Sequence, residues 1–311
     1  MSKALVILKN RGMGDICVLI SSIHEVSRKI GKPVTVLAQK NTKAQEILKY
    51  DPHVESVIEL DEKGIFNIVK KIKPQKFDKS YIYSDSVRLF LISKISGIKE
   101  NFHYKFFSKK GKNFFKTAKE FTEKTLNTKI NPQSKIYWNA QETEKIKRKF
   151  DISSSTKNII CGISASGPTK RWDIDKYIRL FEEINKKYKS RFFIAGGPDD
   201  QNLVRHVTNS SIGKNCISFL DMSISETMPI IASSQYYIGN DTGWGHISSG
   251  LGLKCLFLFM DSPPAAYGTY SKNISIVVPD GETIESCGHN TRGKDKIPIE
   301  KVLNKTIELI N

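Results

Sequence analysis

Tyr236-Tyr237-Ile238-Gly239-Asn240-Asp241-Thr242-Gly243-Trp244-Gly245-His246, continuing to Leu253, is the stretch around which the chain is organised. Tyr236 to Ile238 read as a short buried strand that breaks at Gly239 into a polar turn, and the spacing predicts a helix starting near Gly243. A strand, turn and helix in this order form an anion site, because first-turn N–H groups have no intrahelical partner and carry the positive end of the helix dipole. Gly243 and Gly245 let a ligand come close to the backbone, while Asp241, Thr242 and His246 add acid, hydroxyl and imidazole within two turns. The structural alternative is that Asp241 or Thr242 only caps the helix and His246 packs on the strand.

Working outward, two more loops end strands in the same half of the chain. Asn158 to Ile163 read as a strand that opens into Ser164-Ala165-Ser166-Gly167-Pro168-Thr169-Lys170-Arg171-Trp172, a small, hydroxyl-rich loop with two cations. Phe192 to Ala195 lead into Gly196-Gly197-Pro198-Asp199-Asp200. Further strands at Cys216 to Phe219 and Cys255 to Phe259 complete an alternating β/α pattern, so the three loops converge on one sheet edge, where hydroxyls, a lysine and bare backbone suit a diphosphate. Asp173-Ile174-Asp175 resembles a divalent-metal pair, but both acids fall where helix N-terminal acids belong.

The first half repeats the pattern. Ala4 to Leu8 read as a strand buried on both faces, followed by Asn10-Arg11-Gly12-Met13-Gly14-Asp15 and a helix carrying Ile16, Leu19, Ile20, Ile23 and Val26. The glycines lack the third member of a dinucleotide fingerprint, and no P-loop lysine follows. Asp15 is either a helix-capping carboxylate or a general base at a sheet edge. Strands at 34–38, 56–60 and 77–83 and helices at 42–48 and 65–72 continue an α/β, doubly wound pattern.

The chain has 311 residues, enough for two domains, 1–150 and 151–311, with a linker in 129–156. Its 39% hydrophobic and 26% charged content is that of a soluble globular protein. No apolar run approaches the roughly 18 residues of a membrane span, and the N-terminus enters a strand without a signal peptide, so a cytoplasmic location is expected. The five cysteines lie far apart and read as reduced core residues. Charge is uneven: residues 1–150 hold 31 Lys/Arg against 15 Asp/Glu, and residues 151–311 hold 18 against 17. The first half is therefore expected to meet an anionic partner. Within it, 94–119 holds eight lysines and one glutamate, interleaved with Phe102, Tyr104, Phe106, Phe107, Phe114 and Phe115. That mixture suits a membrane interface, a single-stranded nucleic-acid groove, or a core of aromatics under solvated lysines.

Arg11-Gly12-Met13-Gly14-Asp15, Lys170-Arg171-Trp172, Gly196-Gly197-Pro198-Asp199-Asp200 and Asp241-Thr242-Gly243-Trp244-Gly245-His246 recur in the order and spacing of glycosyltransferase family 9, which the chain resembles over nearly its whole length. Asp51-Pro52-His53-Val54 and the terminal Ile299-Glu300-Lys301-Val302 add to the likeness. That family contains the ADP-heptose:lipopolysaccharide heptosyltransferases. The resemblance implies a GT-B fold, two Rossmann-like domains facing across a cleft, with acceptor in the first and donor in the second, and the C-terminal helix packing back on the first. It implies an inverting transfer of a heptose or related sugar, without metal or other cofactor, from a nucleotide sugar (ADP-heptose) to an anionic lipopolysaccharide inner-core acceptor. Asp15 then matches the general base and Lys170 the lysine that neutralises donor phosphate. Ser164, Ser166, Thr169, Gly197, Asp200, Asp241, Thr242, Gly243 and His246 fall on the donor side, and Arg11, Gly12, Met13 and Gly14 on the acceptor side. The partners implied are the nucleotide sugar, the glycolipid and the inner face of the cytoplasmic membrane, met peripherally, with no nucleic acid. Asp200 stands where family members carry glutamate, Trp244 is bulkier than usual, and Phe259 to Pro264 lack the usual Gly-Pro-Thr turn. Other readings are a family member using another nucleotide sugar for a capsule, glycan or protein acceptor, and a non-catalytic polyanion- or membrane-binding protein.

Overall fold

A computed structural model describes residues 2–9, 12–60, 64–106 and 113–311, which form two compact units, Met1–Tyr137 and Trp138–Asn311. Arg11, and residues 107–112 of the basic aromatic stretch, lie outside the described residues.

In the first unit β1 (Ala4–Leu8), α1 (Met13–Ile30), β2 (Val34–Gln39), α2 (Ala44–Ile47), β3 (Val54–Leu60), α3 (Ile65–Ile72), β4 (Lys79–Tyr83), α4 (Val87–Ile95), β5 (Glu100–His103) and α5 (Phe114–Leu126) alternate. The strands pair in parallel in the order β3-β2-β1-β4-β5. All five residues of β1 are at most 1% exposed, which is why its sequence is continuously apolar rather than alternating. α1 runs until Gly31, whose left-handed φ of 73° caps it.

The second unit contains α6 (Thr143–Lys149), β6 (Lys157–Gly162), α7 (Ile174–Lys187), β7 (Ser190–Ala195), α8 (Gln201–Thr208), β8 (Cys216–Ser218), α9 (Ile224–Ala232), β9 (Tyr236–Asn240), α10 (Gly243–Gly250), β10 (Lys254–Leu258), α11 (Pro264–Tyr267), β11 (Ile274–Val277) and α12 (Ile299–Ile310). Its parallel sheet runs β11-β10-β9-β6-β7-β8. Counted within the unit this is the dinucleotide-fold order 3-2-1-4-5-6, whose switch point lies between β6 and β9. The core beneath it gathers Trp172, Tyr177, Phe181 and Phe192, each at most 1% exposed.

The boundary falls between 137 and 138, earlier than the 150/151 division read from the sequence, for a physical reason. α6 packs against α9, and the Arg191 guanidinium donates to the carbonyls of Phe150 and Asp151, tying 143–151 to the second sheet. Within the second unit the C-terminal helix packs on α7 and β10, and Tyr236 Oη donates to its Ile310 carbonyl at 3.1 Å.

β9 departs from its sequence reading. Gly239 does not open a turn: the strand continues through Gly239 and Asn240, paired to β10 and β6. A Cβ on Gly239 would lie 2.5 Å from the Gly162 carbonyl oxygen, so a glycine is needed here for close strand contact rather than for bending.

The five cysteines are free and, except for half-buried Cys216, buried, with burial pushing the Cys216 thiol up to about 12 and Cys287 to about 11. Among the described residues no helix is long and apolar enough to cross a membrane.

Candidate active site

In the second unit, the C-terminal ends of β6, β7, β9 and β10 share one edge, and the loops that follow them meet there. Asn240, fully buried, holds them together. Its amide donates to the carbonyls of Ile163 and Ser164 at 3.0 and 3.1 Å, and its Oδ1 accepts from the Trp172 N–H at 3.1 Å and the Tyr177 hydroxyl at 2.9 Å. One side chain therefore pins both ends of the 163–172 loop to the end of β9.

That loop divides its residues between anchoring and exposure. Trp172 is 1% exposed and donates its indole N–H to the Ile297 carbonyl at 3.0 Å. Arg171 donates to the Ala165 carbonyl at 3.2 Å and stands 3.9 Å from Asp200 Oδ1. Ser164 is buried and Ser166 exposed. The half-buried Lys170 ammonium has no hydrogen bond or ion pair among the described residues, and beyond its field at nearby Asp261 its charge faces the loop edge. Thr169 Oγ1 donates to Asp261 Oδ2 at 2.6 Å. Burial of Asp261 opposes its ionisation, but the Thr169 hydroxyl, the N–H groups of Arg292 and Asn290 and the nearby Lys170 charge outweigh it and hold the carboxyl below its ordinary value.

Thr242 sits in extended conformation at the N-cap of α10, its hydroxyl 3.1 Å from Tyr237 Oη. Gly245 and His246 N–H groups return to the Thr242 carbonyl, whereas the N–H groups of Thr242, Gly243 and Trp244 have no partner among the described residues. These donors, at a half-buried helix start on the strand-end edge, can receive an anion. Gly245 lets α10 sit this close to the sheet, since a Cβ there would lie 2.6 Å from the Phe257 ring.

Asp241 and His246 form an internal relay instead of open ligands. His246, 2% exposed, meets Asp241 Oδ1 at 3.1 Å through Nε2 and Tyr270 Oη at 2.9 Å through Nδ1, and Ser262 Oγ donates to Asp241 Oδ2 at 2.9 Å. Asp200 is likewise engaged, accepting the Gly197 N–H at 2.8 Å at the start of a 3-10 turn, Pro198–Asp200. The Trp244 side chain is a packing group, 5% exposed and 5.7 Å from the Phe219 ring, so that only the backbone N–H of this residue is offered to a ligand. Asp173 caps α7 through the Asp175 and Lys176 N–H groups, and Asp175 meets His206 at 2.9 Å, so the Asp-x-Asp pair serves the helix start.

In the first unit Asp15 lies in the first turn of α1, half-buried, and accepts the Gly12 N–H at 3.0 Å. Met13 and Gly14 open the helix beside it. This is the capping geometry, and it leaves a carboxylate at the C-terminal edge of β1, next to the β1/β4 switch point. The aromatics of the basic stretch are mostly packing groups: Phe102 stacks 5.1 Å from Tyr81, Tyr104 sits edge-on to Phe121 at 5.0 Å, and Phe106 stacks on His103 at 4.1 Å.

Asn240, Tyr237, Tyr270 and Asp261 escaped the sequence reading. Asn240 alone carried a signal, an amide inside an otherwise apolar buried strand.

The model of glycosyltransferase family 9 (heptosyltransferase) matches residues 105–296, more than half of the chain. This protein belongs to glycosyltransferase family 9. Solved structures agree on the fold of this family 9 member. It is similar to the Escherichia coli ADP-heptose LPS heptosyltransferase II, 16% identical over 99% of this chain and 98% of that one, with a TM-score of 0.77. The family 9 glycosyl transferase from Veillonella parvula DSM 2008 is 15% identical over 99% and 97%, with a TM-score of 0.78. The E. coli heptosyltransferase WaaC with ADP is 14% identical over 98% and 99%, with a TM-score of 0.72. The family 9 chain thus has the GT-B class of fold, an α/β architecture of two parallel sheets, and is a transferase of the glycosyl group. No curated protein sequence matches it.

Proposed function

We propose that this family 9 protein is an inverting glycosyltransferase that moves a heptose from ADP-heptose to an anionic lipopolysaccharide inner-core acceptor at the inner face of the cytoplasmic membrane. The observation that carries this reading is the α10 N-terminus, with three N–H groups unpartnered among the described residues, set on the same strand-end edge as Lys170. It is supported by the names of the similar structures, one an ADP-heptose LPS heptosyltransferase and another solved with ADP.

The acceptor hydroxyl oxygen bonds to the anomeric carbon as the bond from that carbon to the diphosphate oxygen breaks. Asp15 takes the hydroxyl proton, and the nucleoside diphosphate leaves with the electron pair. One displacement inverts the centre. The new charge on the leaving group is met by the N–H groups of Thr242, Gly243 and Trp244 and by Lys170, fixed donors that need no reorganisation. Ser164, Ser166, Thr169 and Gly197 border the nucleotide, and Asp200, Asp241 and His246 hold the loops that shape its site. Gly12, Met13 and Gly14 flank the acceptor end, and Arg11 keeps the acceptor role that the family resemblance implies for it. The step needs no resident metal, because Lys170 and the helix start supply the positive potential.

Asp261 favours a second reading, in which another nucleotide sugar is the donor: a fixed negative charge lies beside Lys170 where the family's Gly-Pro-Thr turn is absent. Thermal unfolding with ADP-, UDP- and GDP-sugars separates the two. A donor at 100 times its dissociation constant adds about 2.7 kcal/mol. Stabilisation by ADP-heptose alone supports the first reading, by a UDP- or GDP-sugar alone the second, and by none of them contradicts both.

A further inference from the structure

α4 is apolar on both sides. Leu89 and Ile92 face the core at 3% and 0% exposure, yet Val87, Leu91 and Ile95 are 43%, 44% and 47% exposed. Their i, i+4, i+8 spacing places these three in one row along the helix. α3 packs beside α4, and its Phe66 is 74% exposed. Of the six large apolar side chains exposed among the described residues, four therefore lie on this helix pair. Single exposed apolar groups need no explanation, but a row of them on adjacent helices marks an interaction surface.

Charge identifies the partner. Residues 64–106 contain nine Lys/Arg and three Asp/Glu. Two of the acids are engaged, Glu100 with Lys79 at 3.1 Å and Asp78 with the Lys3 N–H at 2.8 Å. Lys70 and Lys71 on α3, Lys94 on α4 and Lys99 just after it are all exposed. A second copy of so basic a face would be repelled, whereas apolar side chains among lysines match an anionic bilayer surface, with acyl boundary under the apolar row and phosphates under the cations.

We propose that the α3–α4 face of the first unit docks on a bilayer containing anionic phospholipid, with Phe66, Val87, Leu91 and Ile95 entering the headgroup boundary and Lys70, Lys71, Lys94 and Lys99 meeting lipid phosphate. This gives a surface to the membrane association proposed above and rests on that part of the reading alone, so vesicle binding and sugar transfer can fail independently. The surface differs from the aromatic residues of 94–119, whose described rings are at most half-exposed and packed on neighbours.

The test is sedimentation of the full chain with vesicles of phosphatidylcholine alone or mixed equally with phosphatidylglycerol. The protein binds the anionic vesicles, and combined Phe66→Ser, Leu91→Ser and Ile95→Ser weakens that binding at least tenfold with melting temperature unchanged. Lys70→Gln, Lys71→Gln and Lys94→Gln each weaken it roughly fivefold, while Lys214→Gln and Lys272→Gln in the second unit do not. Equal binding to both vesicle types, or wild-type binding by the serine variant, overturns the proposal. So does loss of a concentration-dependent dimer in the serine variant with vesicle binding intact, which would make a second copy the occupant.

Discussion

Asn240 and Lys170 sit at the same sheet edge and make opposite demands. The amide of Asn240 satisfies four buried groups, three from the 163–172 loop and one from α7, so Asn240→Ala leaves the Trp172 N–H, the Tyr177 hydroxyl and two carbonyls without it. A loss of about 3 kcal/mol in urea unfolding is expected, since each stranded buried group costs roughly 1–3 kcal/mol and some will find water. The Lys170 ammonium makes no hydrogen bond or ion pair among the described residues, so Lys170→Ala is expected to leave stability within about 0.5 kcal/mol while lowering kcat/KM by about 10² to 10³. The sequence made Lys170 legible because a cation in a small hydroxyl-rich loop stands out. It made Asn240 illegible as a loop anchor, because the partners are 63 to 77 residues away and only the fold brings them to it. His246 was legible as a member of the edge but not as a buried relay residue, because its partner Tyr270 lies 24 residues on, beyond the strand that follows α10.

At the scale of elements, the ends of β6 and β10 are joined through Thr169, Asp261 and Arg292. The Asp261 carboxyl lies below its ordinary value near 3.8, so the unfolded chain binds its proton first as pH falls. The tie therefore contributes fully above about pH 4 and is lost as pH drops through the depressed folded value. Asp261→Asn should lower the melting temperature at pH 7 and flatten its decline below about pH 4; an unchanged acid limb would show that the carboxylate is not what holds the loop. His53 gives the complementary case. Burial first, and His24 next, hold its imidazole below 6.5, so stability falls as pH drops below about 6.5, and His53→Gln should reduce that slope in melting curves. Long apolar strands such as β1 and β6 were plain in the sequence, while β5, only four residues with a polar start, has no period to read and exists through its pairing with β4.

For the whole molecule, the two units carry separate cores under sheets of the same order, and the excess positive charge belongs to the first. Repetition of the strand, turn and helix pattern made this division readable; its position was not, because contacts of 138–151 with β7 and α9 are tertiary. ADP should slow amide exchange in 164–170 and 242–244 without protecting 12–15, and protection confined to the first unit would reverse the assignment of donor and acceptor ends. The transfer itself is the most direct test. The purified protein is incubated with ADP-heptose and a Kdo-lipid A acceptor, and ADP release is measured for the wild type and for Asp15→Asn of matched melting temperature. Acceptor-dependent release by the wild type, falling at least 10³-fold in the variant, is the result predicted. Undiminished release after Asp15→Asn, or none from the wild type, would contradict it.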